Sequence, residues 1–261
     1  MQKVYFALKF LNWNISNLKF ILLKPAKIDV TFVTAADYTH QKSLENLLES
    51  LFRFEQSSRI VVYNLGIEDS FLTSLKKKFN TIEFRDFPWA NFPDFFNIKV
   101  NAGNYAWKPA IIARVMDEVD GALIWMDAGN IVTGRLNFLR KILCHLGFFS
   151  PYSEGLVREW THEGTLSALK VEGNILKRRN LGANMIAIDT NDLEARELIS
   201  SWAKFAGIKE CIAPSGSDRT NHRQDQSLLT ILAYQSGLAN YGNLGNFPRR
   251  VFRILVHQDA D

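Results

Sequence analysis

The chain has 261 residues, 47% hydrophobic, 12% aromatic and 22% charged, enough to bury a full core and unlike disordered or fibrous sequences. Lys and Arg outnumber Asp and Glu by 31 to 27, but five lysines (Lys3, Lys9, Lys19, Lys24, Lys27) fall in residues 1–27, where no acid occurs, leaving 26 basic against 27 acidic side chains. The positive excess belongs to a terminal segment, which argues against a nucleic-acid partner.

Within that segment Leu8, Leu11, Ile15, Leu18 and Leu22 recur at steps of three and four, and Phe6, Phe10, Trp13 and Phe20 widen the apolar face of the helix this predicts. Lysines at the remaining positions suit a helix lying in a membrane interface over anionic lipid. The competing reading packs the same face on the globular body. Lys9, Asn12, Asn14 and Asn17 break the apolar stretch and no small-residue cleavage site follows, so no secretory signal is expected. No run of about 18 uncharged apolar residues predicts a spanning helix.

Residues 30–34 read as a buried strand, and Leu44, Leu47, Leu48, Leu51 and Phe52 then trace a strong amphipathic helix. A second strand is expected over 60–63, a weaker helix around Leu72, Leu75 and Phe79, and a third strand over 81–84. Pro109 suits the first position of a helix continued by Ile112, Val115 and Val119. Residues 122–126, Ala-Leu-Ile-Trp-Met, are wholly apolar, as in a strand covered on both faces. Residues 150–180 carry Gly155, Gly164 and Gly173 and read as long loops over one end of the sheet. A strand over 185–188 and helices around Leu198, Trp202 and Phe205 and around Leu228, Leu229 and Leu232 follow. Strands separated by helices predict right-handed crossovers and a mainly parallel α/β sheet. Without repeats or linkers, one domain over 28–261 is expected behind the 1–27 segment. Cys144 and Cys211 lack C-x-x-C spacing and read as two buried thiols in a reducing, cytoplasmic compartment, with the basic segment at the inner face of a membrane.

Phosphate-loop, dinucleotide-fold, zincin, nucleophile-elbow and zinc Cys/His patterns are all missing, which removes the common nucleotide hydrolases, dehydrogenases and serine hydrolases. In an open α/β sheet ligands bind beyond the carboxyl ends of the strands. Thr34-Ala35-Ala36-Asp37 follows the first strand and offers small residues, then a carboxylate. Asp127-Ala-Gly-Asn130 follows the apolar strand and suits a divalent cation or a ribose hydroxyl, although the same residues make an ordinary turn.

The order of these strands with Tyr105-Ala-Trp107-Lys108-Pro109, Asp127-Ala-Gly-Asn130, Asn180-Leu-Gly-Ala-Asn184 before an apolar run to Asp189, and Arg223-Gln-Asp225-Gln226-Ser-Leu-Leu229 resembles the GT-A fold nucleotide-sugar glycosyltransferases. The likeness runs over residues 28–232, closest to poorly characterised D-A-G variants and distant from the galactosyltransferase-like family that makes glycogenin and lipopolysaccharide cores. It implies a single GT-A-like domain with a mainly parallel central sheet flanked by helices, moving a sugar from a nucleotide-diphosphate sugar to an acceptor hydroxyl in glycan or polysaccharide biosynthesis. It also implies that Thr34, Ala35 and Asp37 line the nucleoside end, that Trp107, Lys108 and Asp127 meet the base and diphosphate, and that Asn180 and Asn184 face the sugar. Asp225 would hold the sugar or act as base, with Glu163 the second candidate base. The family's D-x-D motif carries its second acid where Gly129 stands here. Two routes to neutralising the diphosphate therefore remain: Mn²⁺ or Mg²⁺ on Asp127 with Asn130 or His257, or cationic Lys108 assisted by Arg178, Arg179, Arg219 or Arg223. A glycan or lipid-linked acceptor follows from the same resemblance.

Each of these residues also has an ordinary structural reading. Lys108 reads equally as a solvated first-turn lysine, Trp107 as packing, Asp225 as a helix N-terminal acid and His162-Glu163 as a capped turn. Two rivals remain at this point: a non-catalytic scaffold that keeps the fold, for which Gly129 speaks, and a sugar-phosphate nucleotidyltransferase, against which the missing glycine-rich basic loop after the first strand speaks.

Overall fold

The computed structural model describes residues 10–24 and 27–260. Among the described residues ten strands form three sheets: β1 (Val30–Asp37), β2 (Arg59–Gly66), β3 (Glu83–Asp86), β4 (Ala122–Met126), β5 (Ile131–Val132), β6 (Phe148–Phe149), β7 (Tyr152–Leu156), β8 (Arg179–Leu181), β9 (Met185–Asp189) and β10 (Ile254–Leu255). The central sheet runs β3-β2-β1-β4-β9-β6. Its first four strands are parallel and β9 lies antiparallel to both β4 and β6. The mainly parallel sheet flanked by helices is thus the architecture found.

All five residues of β4 are buried, as expected of a central strand with both faces covered. Helix Gln41–Phe54 buries Leu44, Leu47, Leu48 and Leu51, a stripe that links β1 to β2 across one face. Helix Trp107–Met116 begins two residues before Pro109, whose missing N–H still falls among first-turn donors that no intrahelical carbonyl accepts. Helix Gln224–Gln235 is buried along almost its whole length, so its polar first turn is held inside the molecule.

Three expectations are corrected. Residues 150–180 are not simply loops: β7 pairs antiparallel with β8, and short helices Val157–Trp160 and Glu163–Ala168 lie between them. Elements this short complete too little of a period to be read from sequence. Helix Asn137–Leu146, burying Leu139, Ile142 and Leu143, adds to the predicted elements. Cys144 lies exposed on that helix, whereas Cys211 is buried; both are free thiols.

The amino-terminal segment docks on the body, but by another face than its leucine stripe. Residues 10–16 are helical and Leu18–Ile21 continue the chain. Trp13, Asn17 and Phe20 are buried, with Trp13 packed edge-on against Phe138 and Phe252. Leu11, Ile15, Leu18 and Leu22 stay 53–72% exposed, and Leu8 lies outside the described residues. The rings win the inward face because each buries more area than a leucine. Among the described residues no helix is long and apolar enough to cross a membrane.

Candidate functional site

Parallel pairing of β1 with β4 places Val33 beside Trp125, so both strands end at the same rim. Antiparallel pairing sets Met126 against Met185, which brings the turn before β9 to that rim as well. The Asp127 amide donates to Asn184 O at 2.9 Å, and Asn130 Nδ2 donates to the same carbonyl at 2.8 Å. Trp125 Nε1 donates to Asp127 Oδ1 at 2.7 Å and fixes the carboxylate at the strand end.

Lys108 closes this arrangement from the helix opposite. Its ammonium lies 3.0 Å from Asp127 Oδ1 and 3.3 Å from Asp225 Oδ2, and donates to Ala183 O at 3.2 Å. Tyr105, Trp107 and Trp125 rings surround it at 5.6–6.0 Å, and its side chain is 4% exposed. Burial alone would pull this ammonium down, but Asp127 and Asp225 together hold it above its ordinary pKa. Burial pushes Asp225 from 3.8 up to about 6 against the opposing pull of Lys108. Asp225 Oδ2 accepts no aligned hydrogen bond, so a buried carboxylate oxygen is left with capacity for a ligand.

The chain reaches Lys108 through a strained turn. Residues 101–105 all have positive φ, between 49° and 61°, and four of the five are not glycine. Left-handed residues cost about 1–2 kcal/mol each, so packing must impose the turn. Trp107 Nε1 donates to Ala102 O at 3.0 Å and Asn104 Nδ2 to Phe95 O at 2.9 Å, which ties the turn to the aromatic segment before it.

Two cavities meet at Lys108. The smaller, about 390 Å³, reaches from Ala35, Ala36 and Asp37 to Trp107. Asp37 accepts from Thr39 and His40. Despite burial, those bonds hold its carboxyl below the usual range, and the Asp37 hydrogen bond raises His40. The larger, about 1030 Å³, is lined by Asp225, Arg179, Arg223 and Arg249 among others. Tyr105, Lys108, Asp127, Asn184, Arg219 and His257 belong to both.

Of the residues singled out from sequence, Ala35, Asp37, Trp107, Lys108, Asp127, Asn130, Asn184 and His257 line the smaller cavity and Asp225 the larger. Three lie elsewhere and correct the expectation. Thr34 is buried within β1, short of the strand end, and lines neither cavity. Asn180 is fully buried and donates to Leu156 O at 3.1 Å, bracing β8. Glu163 is exposed in the first turn of a short helix capped by His162, outside both cavities. Asn130 has its amide nitrogen engaged on Asn184 O and is 1% exposed, so it shapes the loop more than it offers a free ligand.

Asp259, which sequence reasoning missed, reaches the smaller cavity. Its carboxylate fills the place where a β-carbon on residue 129 would stand, and Gln258 N donates to Gly129 O at 2.6 Å to hold the tail there. His257 Nε2 lies 3.3 Å from Asn184 Nδ2, whose partner atom Oδ1 is buried without a hydrogen bond. The carboxylates of Asp127 and Asp259, the His257 imidazole and the unpartnered Asn184 oxygen are a donor set of the right hardness for Mn²⁺ or Mg²⁺. Among the described residues, no three His, Cys, Asp or Glu side chains already converge on one point.

A family model described as a protein of unknown function, DUF1647, matches residues 3–113. No curated protein sequence matches the chain. Among solved structures, the galactosyltransferase LgtC, determined with donor and acceptor sugar analogues, superposes with a TM-score of 0.52 at 14% identity, covering 87% of this chain and 86% of that one. Core-mannan synthase A from Aspergillus fumigatus, in a Mn/GDP form, gives 0.51 at 8% identity over 80% of this chain and 70% of that one. The bifunctional glycosyltransferase WbbM gives 0.47 at 15% identity; the match covers 80% of this chain and only 38% of WbbM. The fold is that of the GT-A glycosyltransferases.

Proposed function

We propose that the protein transfers a sugar from a nucleotide-diphosphate sugar to an acceptor hydroxyl on a glycan or a lipid-linked acceptor. The observation that carries this reading is the buried Lys108 ammonium, held between Asp127 and Asp225 where two cavities join at the strand ends. The smaller cavity suits the nucleoside, with Asp37 and Trp107 on its walls. The larger has room for the sugar and the acceptor. A diphosphate spanning the junction would lie against Lys108 and Arg219.

In the transition state the departing nucleoside diphosphate gains negative charge, and a cation already fixed in a dry site stabilises it without reorganising. Lys108 meets that requirement because two carboxylates and three aromatic rings hold it in place. With a pKa of about 6, Asp225 is ionised near neutral pH yet close enough to it to accept the acceptor's proton or to orient the donor sugar. Holding donor and acceptor in line across the junction supplies the rest. A divalent cation, held by Asp127 and Asp259 with His257, would add positive charge at the diphosphate.

The test is incubation of the full chain with UDP-, GDP- and CMP-sugars, with and without Mn²⁺, following donor hydrolysis and thermal stabilisation. At least one donor should raise the melting temperature, and Asp127→Ala should abolish the rise. If no donor shifts melting and Asp127→Ala changes nothing, the transferase reading fails and a scaffold is left.

A further inference from the structure

We propose that the protein docks on an anionic membrane surface through the exposed apolar stripe of its amino-terminal helix and a basic cavity beside it. The inference does not depend on the transferase reading. The stripe consists of Leu11, Ile15, Leu18 and Leu22, exposed by 55%, 66%, 53% and 72%. Their spacing of four, three and four sets them along one side of the segment, opposite the Trp13, Asn17 and Phe20 contacts that fasten it to the body. Such a stripe is the part of an interfacial helix that sinks to the headgroup and acyl boundary.

What identifies the occupant is charge. A cavity of about 570 Å³ opens next to this helix, lined by Arg135, Lys141, Arg250 and Arg253 and by no carboxylate. It is built from parts of the chain far apart in sequence: the loop before helix Asn137–Leu146, that helix itself, and the segment after Pro248. Lys141 Nζ donates to Ile21 O at 3.4 Å and Phe138 packs on Trp13, so the segment that carries the stripe lies against residues that line the cavity. The neighbouring Arg140 shows the contrast, since it is spent on the buried Glu55. Lys19, Lys24 and Lys27 are further exposed cations in and just after the same segment. An apolar stripe beside uncompensated cations matches the layered chemistry of a bilayer with phosphate headgroups.

The placement also orients the molecule. Arg249 lines the larger cavity of the candidate site, and the next residue, Arg250, lines the basic cavity, so one short helix, Arg249–Phe252, separates the two. A membrane bound at the basic cavity therefore lies next to the larger cavity.

The test is co-sedimentation of the full chain with vesicles of phosphatidylcholine alone and of phosphatidylcholine with phosphatidylglycerol, at low and high salt. The protein should pellet with the anionic vesicles, release at high salt, and stay in solution with the neutral ones. Ile15→Ser/Leu22→Ser and, separately, Arg250→Glu/Arg253→Glu should each weaken anionic binding about tenfold or more while leaving the melting temperature unchanged, because all four side chains are exposed. Equal binding to both vesicle types, or none to either, overturns the proposal. So does a concentration-dependent dimer in vesicle-free solution that Ile15→Ser/Leu22→Ser abolishes. Saturation of the basic cavity by inorganic phosphate without vesicle binding overturns it as well.

Discussion

The carboxylate of Asp259 occupies the space in front of Gly129 that any side chain at that position would need, with its Cγ only 2.8 Å from where the β-carbon would stand. On the proposed metal reading this carboxylate, held in place by Gln258 N on Gly129 O, stands in for the second acid missing from the Asp127-Ala-Gly sequence. Gly129→Ala is expected to displace that carboxylate, and both Gly129→Ala and Asp259→Ala should weaken Mn²⁺ binding by about tenfold, a typical loss when a ligand shell is disturbed. The exchanged pair Gly129→Asp/Asp259→Gly should bind better than Gly129→Asp alone, where two carboxylates would crowd one place. Titration calorimetry with Mn²⁺ on the nucleotide-free protein reads this directly. Unchanged affinity in both single variants would reduce the contact to packing.

Lys108 neutralises two carboxylates, so its loss and the loss of one partner should differ sharply. Lys108→Met leaves Asp127 and Asp225 facing each other without a cation, and breaking a buried pair in this way costs about 3–5 kcal/mol. Asp225→Asn leaves Lys108 paired with Asp127 and should cost far less at pH 7. Urea denaturation of both variants makes the comparison. Equal losses would mean that Asp127 alone does not satisfy Lys108 and that the Asp225 pair carries the whole effect.

The central fold was legible because buried strands and amphipathic helices announce themselves. The apolar run over 122–126 and the stripe from Leu44 to Leu51 were both found where periodicity placed them. Lys108 and Asp127 were also legible, since a lysine at a helix start and an acid at a strand end face the same rim in such a sheet. Asp259 was not, because nothing in a sequence states that residues 129 and 259 touch; a glycine where an acid is expected was the only signal. Thr34 and Asn180 were misassigned for the opposite reason. They belong to segments that border the site, but one is buried inside β1 short of its end and β-bracing consumes the other.

The left-handed turn before Lys108 leaves residue 103 no alternative to glycine. A β-carbon there would run into the backbone of Phe96, which cannot swing away as a flexible side chain would, and φ is +61°. Gly103→Ala is expected to destabilise by about 2 kcal/mol or more and to loosen Lys108 from Asp127. Thermal denaturation with nucleotide-sugar binding on the same sample checks both. Native stability in Gly103→Ala would show that the turn relaxes freely.

Asp225 and His222, both in the wall of the larger cavity, should make opposite contributions to stability between pH 4 and 6. Burial lowers His222 from 6.5 to about 4, so the unfolded chain binds the proton more tightly. Its contribution is complete above the unfolded pKa and is lost as pH falls from about 6.5 towards 4. Asp225 is raised from 3.8 to about 6, so the native state holds its proton more tightly, and stability from this group declines as pH rises through that window. Each shift spans about two pH units, or about 3 kcal/mol at full effect. The two slopes nearly cancel in the wild-type chain, whose stability should change little from these groups between pH 4 and 6. His222→Gln keeps a donor towards Ile212 O, which His222 Nε2 meets at 2.9 Å, and removes the proton site. That variant should lose stability as pH rises from 4 to 6, whereas Asp225→Asn should gain it over the same range. Urea titrations at half-unit pH steps would resolve the two signs, and parallel pH profiles for both variants would exclude the assignment.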